Sequence, residues 1–476
     1  MSRLRVSSQS IQWCLSLLAF SAYLRDPLRL CVKRTAKRIN RRDAEDRREE
    51  IKTLPSIPKA PRQQHTSLHL QKIILPVVLV MLALAFSCSR DTAENTNQPD
   101  RSTIKIGYFG DLSGPTFNFG QSGINGVLMA ADNINQAGGI NGRRIDVVIQ
   151  DDKGSPEEAA RLTAKLIDQD KVVAIIGGGT SGNSRAAAPR AQSSHVPLIS
   201  PSSTDPAVTL VGDYIFRACF VDEFQGEVMA SFAFNSLKAR KAAILFDFNS
   251  PYGRGLTSFF QASFKRLGGQ IVNEQSYTQG DVEFKGQLSS IKASEPDVIY
   301  IPGYYGDVTL IAKQARQLGL TQPLLGGDGW DAPELWPLGG DALNGSYIST
   351  HYSVDDPSPA IRSFVDEYMR RYGNLAPDAH AALAYDAARI LFAAITRAGS
   401  TEGAKVREAL AQTKDFNGVT GMISMDRHRN SVKPAVVLKL MDVRFIYQET
   451  IQPIRVEHSP ATPSPTPSPS RRSATS

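Results

Sequence analysis

The stretch at 103–156 constrains this chain more than any other, and it reads TIKIGYFGDLSGPTFNFGQSGINGVLMAADNINQAGGINGRRIDVVIQDDKGSP. Residues 104–109 form an apolar run that suits a buried strand. A Gly/Ser/Pro loop follows at 110–115, and residues 126–134 carry apolar side chains at helical spacing. Gly138-Gly139 and Asn141-Gly142 stop that helix and turn the chain. A second apolar run at 145–149 closes on Asp151-Asp152. The whole is a βαβ unit, the building block of a parallel sheet covered by helices. Such sheets bind ligands at the carboxyl ends of their strands, where the DLSGPTFNFG loop leaves the first strand.

The pattern repeats downstream. Helix-period residues at 156–168 and 184–194 alternate with buried runs at 172–176 and 196–200. A second series begins near Lys241, with strands at 242–246, 270–274, 298–301 and 323–325 and helices at 252–267, 284–294 and 308–318. Residues 361–398 read as two helices with Pro377 between them, and 436–447 alternates like late sheet strands. The expected fold class is α/β, with two lobes of related build, each a mostly parallel sheet flanked by helices.

The net charge of +7 suggests nucleic acid until it is located. Residues 1–70 hold 15 Lys/Arg and 6 Asp/Glu, leaving 39 and 41 in the remainder. The globular part is nearly neutral, so no basic face for a nucleic-acid partner is expected.

Four cysteines, Cys14, Cys31, Cys88 and Cys219, lie far apart with no metal-ligand spacing. Cys219, in an apolar context, reads as a small core residue. Residues 1–70 form a basic extension, read either as a start placed too far upstream or as a cytoplasmic or regulatory segment. The 14 apolar residues at 73–86 are short for a membrane span and fit a secretory signal after Lys72. Ser87-Cys88 follows directly, so 71–87 is a signal segment and 88–102 a polar tether. The alternatives are a plain signal peptide or a membrane anchor with an incidental cysteine. The Pro/Ser/Thr-rich stretch 456–476 reads as a disordered tail.

Strand-end loops carry the candidate chemistry. GGGTSGNS precedes a helix, so its N–H groups can face an anion, with the Thr180 and Ser181 hydroxyls beside them. It lacks the GxxxxGK[ST] pattern, so a carboxylate fits better than a nucleotide phosphate; a plain glycine turn is the alternative. SPSSTDP offers Ser203 and Thr204, which equally suit a helix cap. Asp328 sits between glycines in GGDGWD, placed to pair with a ligand ammonium or simply to make a turn. Phe119, Tyr252, Tyr304, Tyr305 and Trp330 can wall a pocket. No GxSxG, HExxH or strand-following GxGxxG is present, and no nucleophile–base pair stands out, so no catalytic residue, metal or cofactor is assigned.

Together these motifs resemble the periplasmic leucine/isoleucine/valine-binding proteins of ABC importers, which have the type I periplasmic-binding-protein fold. The resemblance covers 103–450 through IKIGYFGDLSGP, NGVLMAADNINQAGGINGR, VVAIIGGGTSGNSRAAAP, VPLISPSSTDP, DVIYIPGYYGD and LGGDGW. It implies two lobes, 103–221 plus about 351–433 and 222–350 plus about 434–455, hinged to close on a branched-chain-like amino acid or a related small polar ligand. Permease subunits would receive the ligand. It implies ligand contacts at Ser181, Ser203, Thr204, Asp328, Tyr252 and Tyr304, with Thr180 in the same loop. Phe119 stands where relatives carry a tyrosine. Asp328 replaces a frequent Glu, and Ser203 replaces a small apolar residue. A cysteine pair of the family is represented by Gly154 and Thr180. Cys88 resembles the lipidated cysteine of bacterial lipoproteins, which implies a periplasmic or cell-surface protein anchored to a membrane. A ligand-sensing regulator of the same fold is the alternative function.

Overall fold

The computed structural model describes residues 103–453, which lie within the unit Asn95–Ser476. The basic extension, the signal segment with Cys88, the tether and the C-terminal tail lie outside the described residues.

The first lobe opens with β1 (Thr103–Gly110), α1 (Phe117–Gln136), β2 (Arg144–Asp151), α2 (Pro156–Asp168), β3 (Ala174–Gly177) and α3 (Ser181–Ser193). Then come β4 (Leu198–Ser200), the short α4 (Ala207–Leu210) and β5 (Ile215–Arg217). Its sheet has the order β2-β1-β3-β4-β5, with every pairing parallel. Strand alternation feeds two cores. Ile104, Ile106 and Tyr108 of β1 pack on one face, and Phe109 packs on the other with Ile175.

The second lobe runs through α5 (Asp222–Ser231), β6 (Lys241–Asp247), α6 (Pro251–Arg266), β7 (Gln270–Tyr277), α7 (Lys285–Ala293) and β8 (Val298–Tyr300). It continues with α8 (Tyr305–Gln317), β9 (Leu324–Gly326), α9 (Leu335–Gly339) and β10 (Ser346–Thr350). The chain then returns to the first lobe with α10 (Pro359–Arg371), α11 (Ala379–Ala398) and α12 (Gly403–Ala411). A small antiparallel sheet follows, made of β11 (Phe416–Gly418), β12 (Gly421–Met425) and β13 (Ser431–Val432). Finally β14 (Ala435–Met441) and β15 (Arg444–Ile451) join the second sheet, whose order is β15-β14-β10-β9-β8-β6-β7. Both pair antiparallel, at the edge of an otherwise parallel sheet. The chain therefore crosses between lobes after β5, after β10 and before β14.

One local reading is corrected. The apolar spacing predicts a helix only from Gly126, yet α1 begins nine residues earlier, at Phe117. Gly120 and Gly126 hide this start, because glycine weakens an isolated helix. Packing explains them: a Cβ on Gly120 would lie 1.9 Å from Asp111 O, and one on Gly126 2.2 Å from Ala381 O. The two glycines let α1 lie directly on the β1 loop and on α11. Tertiary contact outweighs the local propensity. Cys219 is fully buried, in accord with its apolar setting, and burial pushes its thiol up to about 12.

Candidate functional site

The carboxyl ends of both sheets face one cleft. Gly179, Ser181 and Ser202 line a small cavity there from the first lobe. Tyr252, Tyr304, Asp328 and Gly329 line it from the second, and His380 from the start of α11.

On the first-lobe side the wall is a helix start. Thr180 occupies the N-cap of α3 without capping it, and the first turn holds no acidic residue. The leading N–H groups are thus left to the cleft, where an anion is favoured. Ser181 is buried, and its Oγ accepts from the Asp205 N–H at 3.3 Å, which leaves the hydroxyl proton free to donate.

On the second-lobe side Asp328 follows β9. Gly327 before it has no room for a side chain, because a Cβ would lie 2.5 Å from Tyr252 Oη. That close approach lets Tyr252 donate to Asp328 Oδ1 at 2.9 Å while accepting the Gly329 N–H at 3.0 Å. Gln225 Nε2 donates to the same oxygen at 3.0 Å, and His351 Nε2 stands 3.1 Å from Oδ2. Burial works to raise the Asp328 carboxyl, but these partners outweigh it and hold it below the ordinary carboxylate range. Burial drives His351 down to about 4, so at neutral pH it is an uncharged donor. Among the described residues no lysine or arginine lies within ion-pair distance of Asp328. Asp328 is thus a buried anion held by neutral donors.

Aromatic rings close the space. Tyr252 and Tyr304 stack with centroids 5.2 Å apart, and burial keeps both protonated. Phe119 of α1 meets Tyr304 at 5.9 Å and Tyr305 at 5.3 Å, edge-on, so it packs into the second lobe's core. Asn118 Nδ2 donates to Tyr305 Oη at 3.1 Å, a hydrogen bond across the cleft.

The residues expected from sequence separate into groups. Ser181, Tyr252, Tyr304 and Asp328 line the cavity. Phe119 does not line it but stacks on His380, which does, with centroids 3.8 Å apart. Thr180 lines an outer polar cavity at the cleft mouth, together with Thr116, Ser250 and Tyr304. Ser203 faces inward, donating to Gly178 O at 2.9 Å and lying 2.7 Å from Ser184 Oγ. Its neighbour Ser202 faces the cavity and donates to Gly179 O at 2.9 Å. Thr204 is fully buried, with its backbone carbonyl accepting the Asp222 N–H at the crossing between lobes. Sequence reasoning missed Ser202 and His380. The loop motif contained Ser202, but His380 carried no signal of its own.

Residues 103–440 match the periplasmic binding protein family. A Leu/Ile/Val-binding protein of Rhizobium johnstonii is 31% identical over 323 residues, which is 67% of this chain and 87% of that protein. The crystal structure of a leucine-binding protein from Thermotoga maritima is similar with a TM-score of 0.71 and 38% identity, covering 74% of this chain and 99% of that one. A branched-chain amino acid transporter substrate-binding protein from Streptococcus pneumoniae, in complex with isoleucine, gives 0.70 and 36%, covering 74% and 100%. A two-lobed α/β fold with a cleft at the sheet ends agrees with these matches. The chain belongs to the periplasmic binding protein family, extracytoplasmic receptors that capture solutes for transport and are not enzymes.

Proposed function

We propose that this protein captures a small zwitterion, an α-amino acid or a close amide-like relative, between its lobes and presents it to an ABC permease. The observation that carries this reading is Asp328, a buried carboxylate without a cationic partner among the described residues, across the cavity from the uncapped start of α3. The ammonium pairs with Asp328. The carboxylate takes the α3 N–H groups and the Ser181 hydroxyl, with Thr180 at the outer rim. Tyr252 and Tyr304 cover the ligand, and Phe119 holds the lobes together over it. The names of the relatives point to leucine, isoleucine and valine as the first solutes to try. Closure turns on the three crossings, with 103–221 plus 351–433 moving against 222–350 plus 434–455.

Export and anchoring belong to the same proposal. Residues 71–87 direct secretion, and Cys88 becomes the lipidated first residue of the exported chain. Cys88→Ser should then shift the protein from the membrane to the soluble fraction; an unchanged distribution would remove the anchor.

The functional test is thermal unfolding against amino acids, amides, urea and aromatic acids. A ligand at 100 times its dissociation constant should stabilise by about 2.7 kcal/mol, a rise of a few degrees. If amino acids give no shift while another class does, the zwitterion reading fails.

A further inference from the structure

The cavity walls do not suit an aliphatic side chain. Among the described residues that line it, none carries an aliphatic side chain. The surfaces are serine hydroxyls, tyrosine rings, glycine backbone, a carboxylate and an imidazole. Phe119, the large apolar group nearby, is covered by the ring of His380 stacked on it.

His380 is only 4% exposed, and the Asp331 backbone faces its ring as an acceptor that favours a proton there. Its Nδ1 has no partner among the described residues. In a neutral imidazole one nitrogen donates and the other accepts. With the Asp331 backbone facing the proton-bearing nitrogen, Nδ1 is left as a buried lone pair on a residue that lines the cavity. Burial drives this imidazole down to about 4, so it is neutral where the protein works. Ser202 adds to the excess of acceptors, because its proton is already given to Gly179 O. An acceptor buried without a donor is unfavourable, so a ligand that supplies the donor is preferred over one of equal shape that does not.

We infer that the bound amino acid carries a neutral hydrogen-bond donor on its side chain, a carboxamide or a hydroxyl, and that His380 Nδ1 accepts from it. This rests on the amino-acid reading above and narrows it. It separates this chain from a receptor for purely aliphatic side chains.

Isosteric pairs test it by isothermal titration: asparagine against leucine, and threonine against valine. The wild-type protein should bind the polar member of at least one pair roughly tenfold tighter or better. His380→Phe, which keeps a ring to stack on Phe119, should abolish or invert that preference. The wild-type ratio stands by itself should the variant fold poorly. Tighter binding of leucine and valine by the wild type would overturn the inference and leave the amino-acid reading intact. An equal loss for both members of a pair in His380→Phe would also overturn it, placing His380 at the ammonium. Binding of no amino acid at all would overturn both.

Discussion

His351 Nε2 lies 3.1 Å from Asp328 Oδ2, and burial holds that imidazole neutral. The pair looks like a salt bridge but lacks its charge at neutral pH. His351 orients the carboxylate without cancelling it, and Phe220, stacked 3.8 Å from the imidazole, fixes the ring in turn. The negative charge of the cleft is thereby left uncancelled.

Removing that charge should remove binding. Asp328→Asn keeps the size of the side chain, and truncating one partner of a buried charge pair costs about 2 kcal/mol or more. Affinity for the amino acid should fall roughly thirtyfold or further by titration calorimetry. Unchanged affinity would take the ammonium away from Asp328.

Ser203 of SPSSTDP and Ser181 of α3 should behave differently. Ser181→Ala deletes a hydroxyl aimed at a carboxylate and should weaken binding by about 1.5 kcal/mol, roughly tenfold. Ser203→Ala deletes a bond to Gly178 O, which Ser184 and Ser200 also contact, so affinity should stay within about threefold. Equal losses for both would mean that Ser203 turns toward the ligand.

Binding should be insensitive to pH between 8 and 6 and fall as pH drops through the range near 4. Burial sets both His351 and His380 at about 4. Their protonation brings positive charge up to Asp328, where it competes with the ligand ammonium. A midpoint for binding near 6.5 would show that these imidazoles titrate as exposed ones.

Asp378 should make stability decline with rising pH. It caps α11 through the Ala381 N–H and accepts from Ser122 Oγ at 2.6 Å. Burial, with the nearby Asp331 charge, lifts it from 3.8 to about 7. Between these values the folded chain holds a proton that the unfolded chain has lost. Its contribution is therefore complete below about 4 and is lost as pH rises toward 7. Asp378→Asn, which can still cap the helix, should gain stability over wild type on going from pH 5 to pH 8, by on the order of a few kcal/mol. A constant difference in denaturant unfolding at the two pH values would contradict this.

Gly126→Ala tests the contact between α1 and α11. The added methyl would meet Ala381 O at 2.2 Å, far inside contact distance. Overpacking should outweigh the gain in helix propensity and destabilise by roughly 1–3 kcal/mol. A rise in melting temperature would show that the helices separate without cost.

Much of this architecture was legible in the chain. The strands at 104–109 and 242–246 read directly, because a parallel strand covered on both faces is a short apolar run. Asp328 was legible because a strand ends in glycines beside it. Which serine of a pair faces a cavity was not, since an irregular loop has no period to follow. His380 lies 52 positions beyond Asp328, in a first helical turn where a polar residue reads as ordinary. Only the return of the chain to the first lobe after β10 brings it to the cleft. The short strands β5 and β10 were also hidden, at three and five residues.

The most direct test of the account is calorimetric titration of wild-type protein with one amino acid that binds, its N-acetyl derivative and its carboxamide. Opposed charge positions at Asp328 and at the start of α3 predict that blocking either end of the zwitterion costs at least about tenfold in affinity. Equal binding of the free and N-acetylated forms would contradict an ammonium at Asp328, and with it the central claim.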